Sequence, residues 1–359
     1  MIAAEPQAVS PQPSVAAPPM TKRARLGFLG VDWIGRHRLE ALAQSQAVEV
    51  VAIADTAIEL AASAAAVVAP AAVVCDSLES LLQVGVDGVV IATPSALHAE
   101  QALAALQNDI AVFCQKPLGR NAAETRSVVE TARKADRLLG VDLSYRFVDG
   151  VQQLHNLCQS GALGKIYAAE LTFHNAYGPD KGWFYNRQLS GGGCLIDLGT
   201  HLVDLALWNL GFPALTGVSG RLFAQGEPLA DAEGPVEDYA EARLDLAGGA
   251  TVGLACSWKL PAGREAVIRG AFYGSKGGAA FENVDGSFFR FRAERFLGTR
   301  SELLGEVDEA WGGCAALDWA RRLARGETFA AEAEHLCTVA ETLDAIYAHA
   351  GDFGREHRP

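Results

Sequence analysis

Several things are missing from this chain, and each absence narrows the possibilities. No apolar run reaches the roughly 20 residues needed to cross a bilayer, so no membrane span is expected. Positive charge is scarce: 30 Lys and Arg stand against 43 Asp and Glu, a net charge of -13. That balance argues against duplex nucleic acid or an anionic lipid surface as partner, since both need a basic face, and points to small molecules. The seven cysteines form no C-x-x-C and no tight cluster. They read as buried thiols of a reducing, cytoplasmic compartment rather than a disulfide frame or a zinc site. The first 20 residues have no basic n-region, twin arginine or continuous apolar core, so no secretory signal is read there. Residues 1–23 are expected to be a disordered tail, and Met20 is as good a start as Met1.

What is present is ample core material. Half of the 359 residues are hydrophobic and a fifth are charged, enough for two domains. From Ala24 the pattern is strand, glycine turn, helix: Ala24 to Gly30 as a strand, Arg36 to Ser45 as a helix, Val48 to Ala54 as a strand ending at Asp55. The alternation continues to Leu143 and predicts a doubly wound parallel sheet over residues 24–144. Beyond Arg146 the texture changes. A helix at Val151 to Gln159, a strand at Ile166 to His174 and a helix at Ile196 to Leu210 precede strands of period two running to Phe291. Residues 145–359 therefore read as an α+β domain with a large, mostly antiparallel sheet, closed by helices at Ala315 to Ala324 and Ala331 to Ala350.

The first motif is Gly30-Val31-Asp32-Trp33-Ile34-Gly35, between a strand and a helix. In a dinucleotide turn the first glycine makes the bend, the second lets the backbone approach the pyrophosphate, and the third lets helix and strand pack. Asp55 at the end of the second strand suits ribose hydroxyls and repels a 2′-phosphate, which favours NAD over NADP. Asp32 opposes both phosphates, because two unit charges about 4 Å apart at an effective dielectric near 20 repel by about 4 kcal/mol. Unrelieved, that is about a thousandfold in affinity. Asp32 also stands where a helix N-cap belongs, so the chain could carry its own anion in the phosphate position.

Two further segments carry chemistry. Lys116 in Gln115-Lys116-Pro117 falls just past a strand's carboxyl end, where ligands bind in open α/β sheets. In Gly191-Gly192-Gly193-Cys194-Leu195-Ile196-Asp197-Leu198-Gly199-Thr200-His201, Asp197 and His201 stand at i and i+4, and Asp204 at i+7, one stripe of a helix. A near-neutral imidazole can accept a hydroxyl proton while a carboxylate holds substrate. The same trio could instead be a core histidine satisfied by Asp204, or a metal site. An aromatic and polar run offers Tyr177, Trp183, Tyr185 and Arg187 as substrate contacts.

Together these segments, with Thr93-Pro94-Ser95-Ala96-Leu97-His98 and Tyr145-Arg146-Phe147, strongly resemble the glucose-fructose oxidoreductase / inositol dehydrogenase / MocA (Gfo/Idh/MocA) family from about Arg25 onward. The resemblance implies an NAD(P)-dependent Rossmann domain, here with Gly30, Asp32, Trp33, Ile34, Gly35, Asp55, Thr93, Pro94, His98, Gln115 and Lys116 toward the cofactor. It implies a C-terminal domain whose open sheet joins subunits, as a homodimer or homotetramer. It makes Lys116, Asp197 and His201 the catalytic set, with no metal, and the substrate a sugar, cyclitol or related polyol. Two residues depart from the family pattern: Gln115 where E-K-P is usual, and Asp32 where glycine is typical. The competing functions are NAD-dependent elimination and hydrolysis of a glycoside, and a non-catalytic binding protein whose dinucleotide affinity Asp32 has weakened.

Overall fold

The computed structural model describes residues 23–229, 234–307 and 311–356. Met20 and the expected tail, apart from Arg23, lie outside the described residues. The first unit contains β1 (Ala24–Leu29), α1 (Trp33–Gln44), β2 (Val48–Ala54), α2 (Ile58–Val68), β3 (Val73–Cys75), α3 (Leu78–Leu82), β4 (Gly88–Ile91), α4 (Ser95–Gln107), β5 (Ala111–Cys114), α5 (Ala122–Ala135) and β6 (Leu139–Val141). The strands form one parallel sheet in the order β3-β2-β1-β4-β5-β6, a Rossmann arrangement. Its apolar strands are buried on both faces because helices cover each side. β3, only three residues long, is too short to carry a readable pattern. α1 starts at Trp33, earlier than Arg36, because Asp32 caps it.

The second unit follows a short 3-10 turn at Ser144–Phe147 and contains α6 (Asp149–Gln159), β7 (Ile166–Asn175), α7 (Arg187–Ser190), α8 (Thr200–Leu210), β8 (Leu215–Ala224), β9 (Glu227–Pro228), β10 (Tyr239–Leu246), β11 (Thr251–Ser257), β12 (Ala266–Gly274), β13 (Gly277–Asn283), β14 (Phe291–Leu297) and β15 (Arg300–Val307). These strands form a nine-stranded sheet, β15-β14-β13-β12-β7-β11-β10-β8-β9, antiparallel except where β7 meets β11. Alternate residues such as Leu171, Phe173, Val252 and Leu254 face the core shared with α6 and α8. The other face carries Glu170, Arg243 and Glu241, which keep it wet in this single chain.

Two C-terminal helices, α9 (Cys314–Ala324) and α10 (His335–Glu356), tie the units together. α9 returns to the first sheet: Ala315, Ala316, Trp319 and Ala320 share a buried cluster with Leu26, Phe28 and Phe113. α10 packs on both α5 and β8. Trp319, 3% exposed, lies against Phe113 at 5.7 Å, and Gly88 and Gly140 leave room for its ring. Trp319→Ala should cost about 3–5 kcal/mol by cavity formation. Equilibrium urea unfolding of the full chain checks this, and a loss under 1 kcal/mol would deny α9 its part in the first core.

Candidate active site

The carboxyl ends of β1, β2, β4 and β5 bring the motifs to one crevice. Gly30 has φ +86, a left-handed bend that glycine adopts freely, and a side chain at Gly35 would meet the Gly30 carbonyl at 2.1 Å. The turn is braced by Asp55, whose Oδ2 accepts from the Val31 N–H at 2.9 Å and whose Oδ1 accepts from Ala57 N–H at 2.9 Å. At Asp32, one carboxylate oxygen accepts from the Trp33 N–H at 2.8 Å. The other is 2.8 Å from the Lys181 ammonium, which belongs to the second unit. Lys181, then the Trp33 N–H, hold the Asp32 carboxyl below its usual range. Trp33 is exposed and edge-on to His37, while Ile34 is half-buried.

The backbone N–H of Gln115 bonds the Ile91 carbonyl, extending the sheet ladder by one step and setting Lys116 at the rim. Lys116 Nζ lies 2.5 Å from Asp197 Oδ1 and 2.8 Å from the Asp197 carbonyl oxygen. The indole N–H of Trp258 donates to Asp197 Oδ2 at 3.0 Å. Lysine and aspartate thus come from different domains and meet in the floor of the crevice.

The expected single helical stripe is broken. Leu195–Gly199 is a π-helical turn, and α8 begins only at Thr200. Asp197 points to Lys116, while Asp204 is bound in a two-point ion pair to Arg146, with the Arg146 Nε at 2.9 Å. Asp204 is thus engaged by Arg146 and not by His201, and no cluster of three His, Cys, Asp or Glu side chains that could hold a metal ion occurs among the described residues. His201 is buried against the Tyr145 ring at 4.8 Å, and its nitrogens make no hydrogen bond within the described residues. Burial, then Lys116 and Arg38, hold its pKa well below the ordinary imidazole value. That direction favours the neutral ring, the form that can accept a proton.

Around this core the remaining residues divide. Gln115 is buried, and its amide donates to Asp142 Oδ2 at 2.5 Å, an oxygen that Arg38 Nε also reaches at 2.6 Å. Thr93 bonds Gln101 at 2.6 Å, and Pro94 is exposed at the start of α4. His98 lies behind the crevice wall, its nitrogens each 2.7 Å from a carbonyl oxygen, Pro117 on one side and Thr93 on the other. It joins two walls instead of presenting a free nitrogen to a cofactor. Tyr177 is exposed and bonds Glu265 at 3.2 Å; Trp183 stacks on Phe184 at 3.8 Å; the Tyr185 hydroxyl donates to the Pro179 carbonyl at 3.0 Å.

Arg187 turns inward, 3.5 Å from Glu237 and over the Tyr347 ring. Glu237 was not read from the sequence. It is fully buried, and its Oε1 accepts from Gly193 N–H at 2.8 Å, Leu195 N–H at 3.0 Å and the Tyr347 hydroxyl at 2.7 Å. A side chain at Gly193 would meet the Glu237 backbone at 2.0 Å, which is why the run before Asp197 must contain glycine there. Burial holds the Glu237 carboxyl above its usual range, against the Tyr347 hydroxyl and Arg187. Trp258, Lys181 and Glu237 lacked any local pattern; only the glycine run hinted that something must approach closely.

A dinucleotide fits these residues. The Gly30 bend and the missing side chain at Gly35 form a cradle, and the first-turn N–H groups of α1 that Asp32 does not use are available to phosphate. Asp55 has lone pairs left for ribose hydroxyls.

Two outcomes follow from this geometry. Glu237→Ala strands two N–H groups, a hydroxyl and Arg187, and should destabilise the protein by about 3–5 kcal/mol in urea unfolding; Glu237→Gln, which keeps the acceptor oxygen, should lose less. Lys116→Met removes a positive charge beside His201, so the imidazole titration midpoint, read by NMR, should rise toward the ordinary value. A midpoint that stays put or falls would remove Lys116 from the surroundings of His201.

Comparison with known proteins agrees with the geometry. Residues 24–143 match the model described as an oxidoreductase family with an NAD-binding Rossmann fold, and residues 151–280 match the GFO/IDH/MocA C-terminal domain. The chain is 32% identical over 241 residues to D-glucoside 3-dehydrogenase of Escherichia coli K12, covering 64% of this chain and 69% of that protein. It is 33% identical over 250 residues to a putative UDP-kanosamine synthase oxidoreductase subunit of Amycolatopsis mediterranei, covering 65% and 68%. In fold it is similar to levoglucosan dehydrogenase in complex with NADH, with a TM-score of 0.78 at 22% identity over 92% of this chain and 98% of that one. The chain belongs to the Gfo/Idh/MocA oxidoreductase family.

Proposed function

We propose that this protein is an NAD-linked dehydrogenase that interconverts a secondary alcohol and a ketone on a sugar, cyclitol or related polyol. The observation that carries this reading is the Lys116–Asp197 contact at the carboxyl edge of the parallel sheet, next to the turn that keeps its first and third glycines, Gly30 and Gly35. Bound NAD supplies the hydride acceptor. Lys116 places a positive charge where the substrate oxygen gains negative charge, and Asp197, steadied by Trp258, holds Lys116 and offers an acceptor to a neighbouring hydroxyl. His201, kept neutral by burial, accepts the hydroxyl proton in oxidation and returns it in reduction. Trp183, Phe184 and Trp258 give the second domain an aromatic wall near Asp197, suited to the apolar face of a sugar ring.

NAD is favoured over NADP because a 2′-phosphate would meet the Asp55 carboxylate at the end of β2. The relatives support the substrate class: the E. coli protein is named for oxidising a glucoside, and the neighbouring structure for levoglucosan. The sheet face that carries Glu170, Glu241 and Arg243 is the surface on which a homodimer or homotetramer would form. Seven free cysteines fit a reducing cytoplasm.

Calorimetric titration should show NAD binding about tenfold or more tighter than NADP, and a polyol and glycoside screen should yield NADH with at least one compound. Lys116→Ala should lose about 100- to 1,000-fold in kcat while NAD affinity stays within a few-fold. Wild-type turnover in that variant would remove Lys116 from the chemistry.

A further inference from the structure

Asp32 occupies the position where a dinucleotide turn needs closest approach, yet its charge does not stand alone. Its two oxygens are divided: Oδ1 caps α1 through the Trp33 N–H, and Oδ2 holds the Lys181 ammonium at 2.8 Å. Lys181 comes from the segment between β7 and α7, so the contact crosses from the second domain to the mouth of the first. An exposed ion pair contributes little to stability. Location is what gives this one meaning, because the turn it covers is the phosphate cradle.

We propose that Lys181 is a diphosphate-binding residue delivered by the second domain, and that it makes dinucleotide binding possible beside Asp32. This rests on the dinucleotide reading above. An ammonium carries three donors, so Lys181 can keep Asp32 and still bond phosphate oxygen. A diphosphate entering the cradle then meets a neutral pair and the amino end of a helix instead of a bare carboxylate.

The segment carrying Lys181 is braced for this task. The Tyr185 hydroxyl donates to Pro179, two residues before Lys181, and the Lys259 ammonium sits 4.9 Å over the Tyr185 ring. Tyr185 in turn lies edge-on to Trp258 at 5.6 Å, and Trp258 bonds Asp197. The phosphate end and the catalytic floor of the crevice are thus linked through one set of contacts.

The test is NAD titration calorimetry of the full chain at low and high NaCl, on the wild type, Lys181→Met, Asp32→Gly and the double variant. Lys181 and Asp32 are both exposed, so folding is not at stake. Lys181→Met should weaken NAD at least tenfold, and added salt should improve its binding, because screening now relieves a bare repulsion. Asp32→Gly should bind at least as tightly as wild type, and the double variant should recover most of the loss. A Lys181→Met protein within twofold of wild type at both salts overturns the proposal and leaves the dehydrogenase reading standing. So does a wild type that fails to bind NAD while Asp32→Gly binds it. If neither binds NAD or NADP, both readings fall.

Discussion

Everything in the crevice depends on an ion pair whose halves come from different domains. Lys116 stands at the end of a parallel strand, Asp197 in a π-helical turn of the other domain, and they meet at 2.5 Å. Drawing both groups largely out of water is costly unless each keeps its full complement of bonds. Here the second Asp197 oxygen takes the Trp258 indole, and the ammonium gains the Asp197 carbonyl. Each half is also anchored from behind. His98 bridges the Pro117 and Thr93 carbonyls on the lysine side, and Glu237 grips the Gly193 and Leu195 N–H groups on the aspartate side. Because small displacements at a reacting centre are expensive in rate, the domains must hold register with each other. That explains why α9 returns to the first sheet and why α10 packs on elements of both domains.

The parts legible in the sequence were those written as local repeats. Strand and helix alternation led to the doubly wound sheet, and period-two runs led to the antiparallel one. The turn at Gly30 to Gly35 and the lysine at 116 were found by position relative to strands, since a strand's carboxyl end fixes where the next residue goes. Lys181, Glu237 and Trp258 were illegible, each for the same reason. Their partners lie far off in the chain, and nothing about an exposed-looking Lys-Gly, a Val-Glu-Asp or a Ser-Trp-Lys announces a long-range contact. The i, i+4, i+7 spacing of Asp197, His201 and Asp204 misled because it presumes 3.6 residues per turn. One π-helical turn rotates Asp197 away from the stripe, and Arg146 takes Asp204.

The two departures from the family pattern become intelligible once their partners are seen. Gln115, in place of the glutamate usual beside the lysine, is buried against Asp142, whose Oδ2 already accepts from Arg38. A glutamate there would set one carboxylate against another in a site with little water, raising the pKa of one of them and leaving the other poorly bonded. The amide converts that repulsion into a hydrogen bond. Asp32 shows the opposite case: a charge added where a glycine is typical, answered by an ammonium from the facing domain.

In both places the altered residue is judged wrongly when taken alone, because its energy is a coupling with a neighbour outside the motif. Gln115 and Asp142 also bear on Lys116. With a neutral amide at 115 and the Asp142 charge engaged by Arg38, the carboxylate that Lys116 contacts directly is Asp197. The lysine then has one strong partner across the domain boundary, not two competing ones on either side of it. A single partner defines a single position for the ammonium, and a single position is what the charge stabilisation proposed for Lys116 requires.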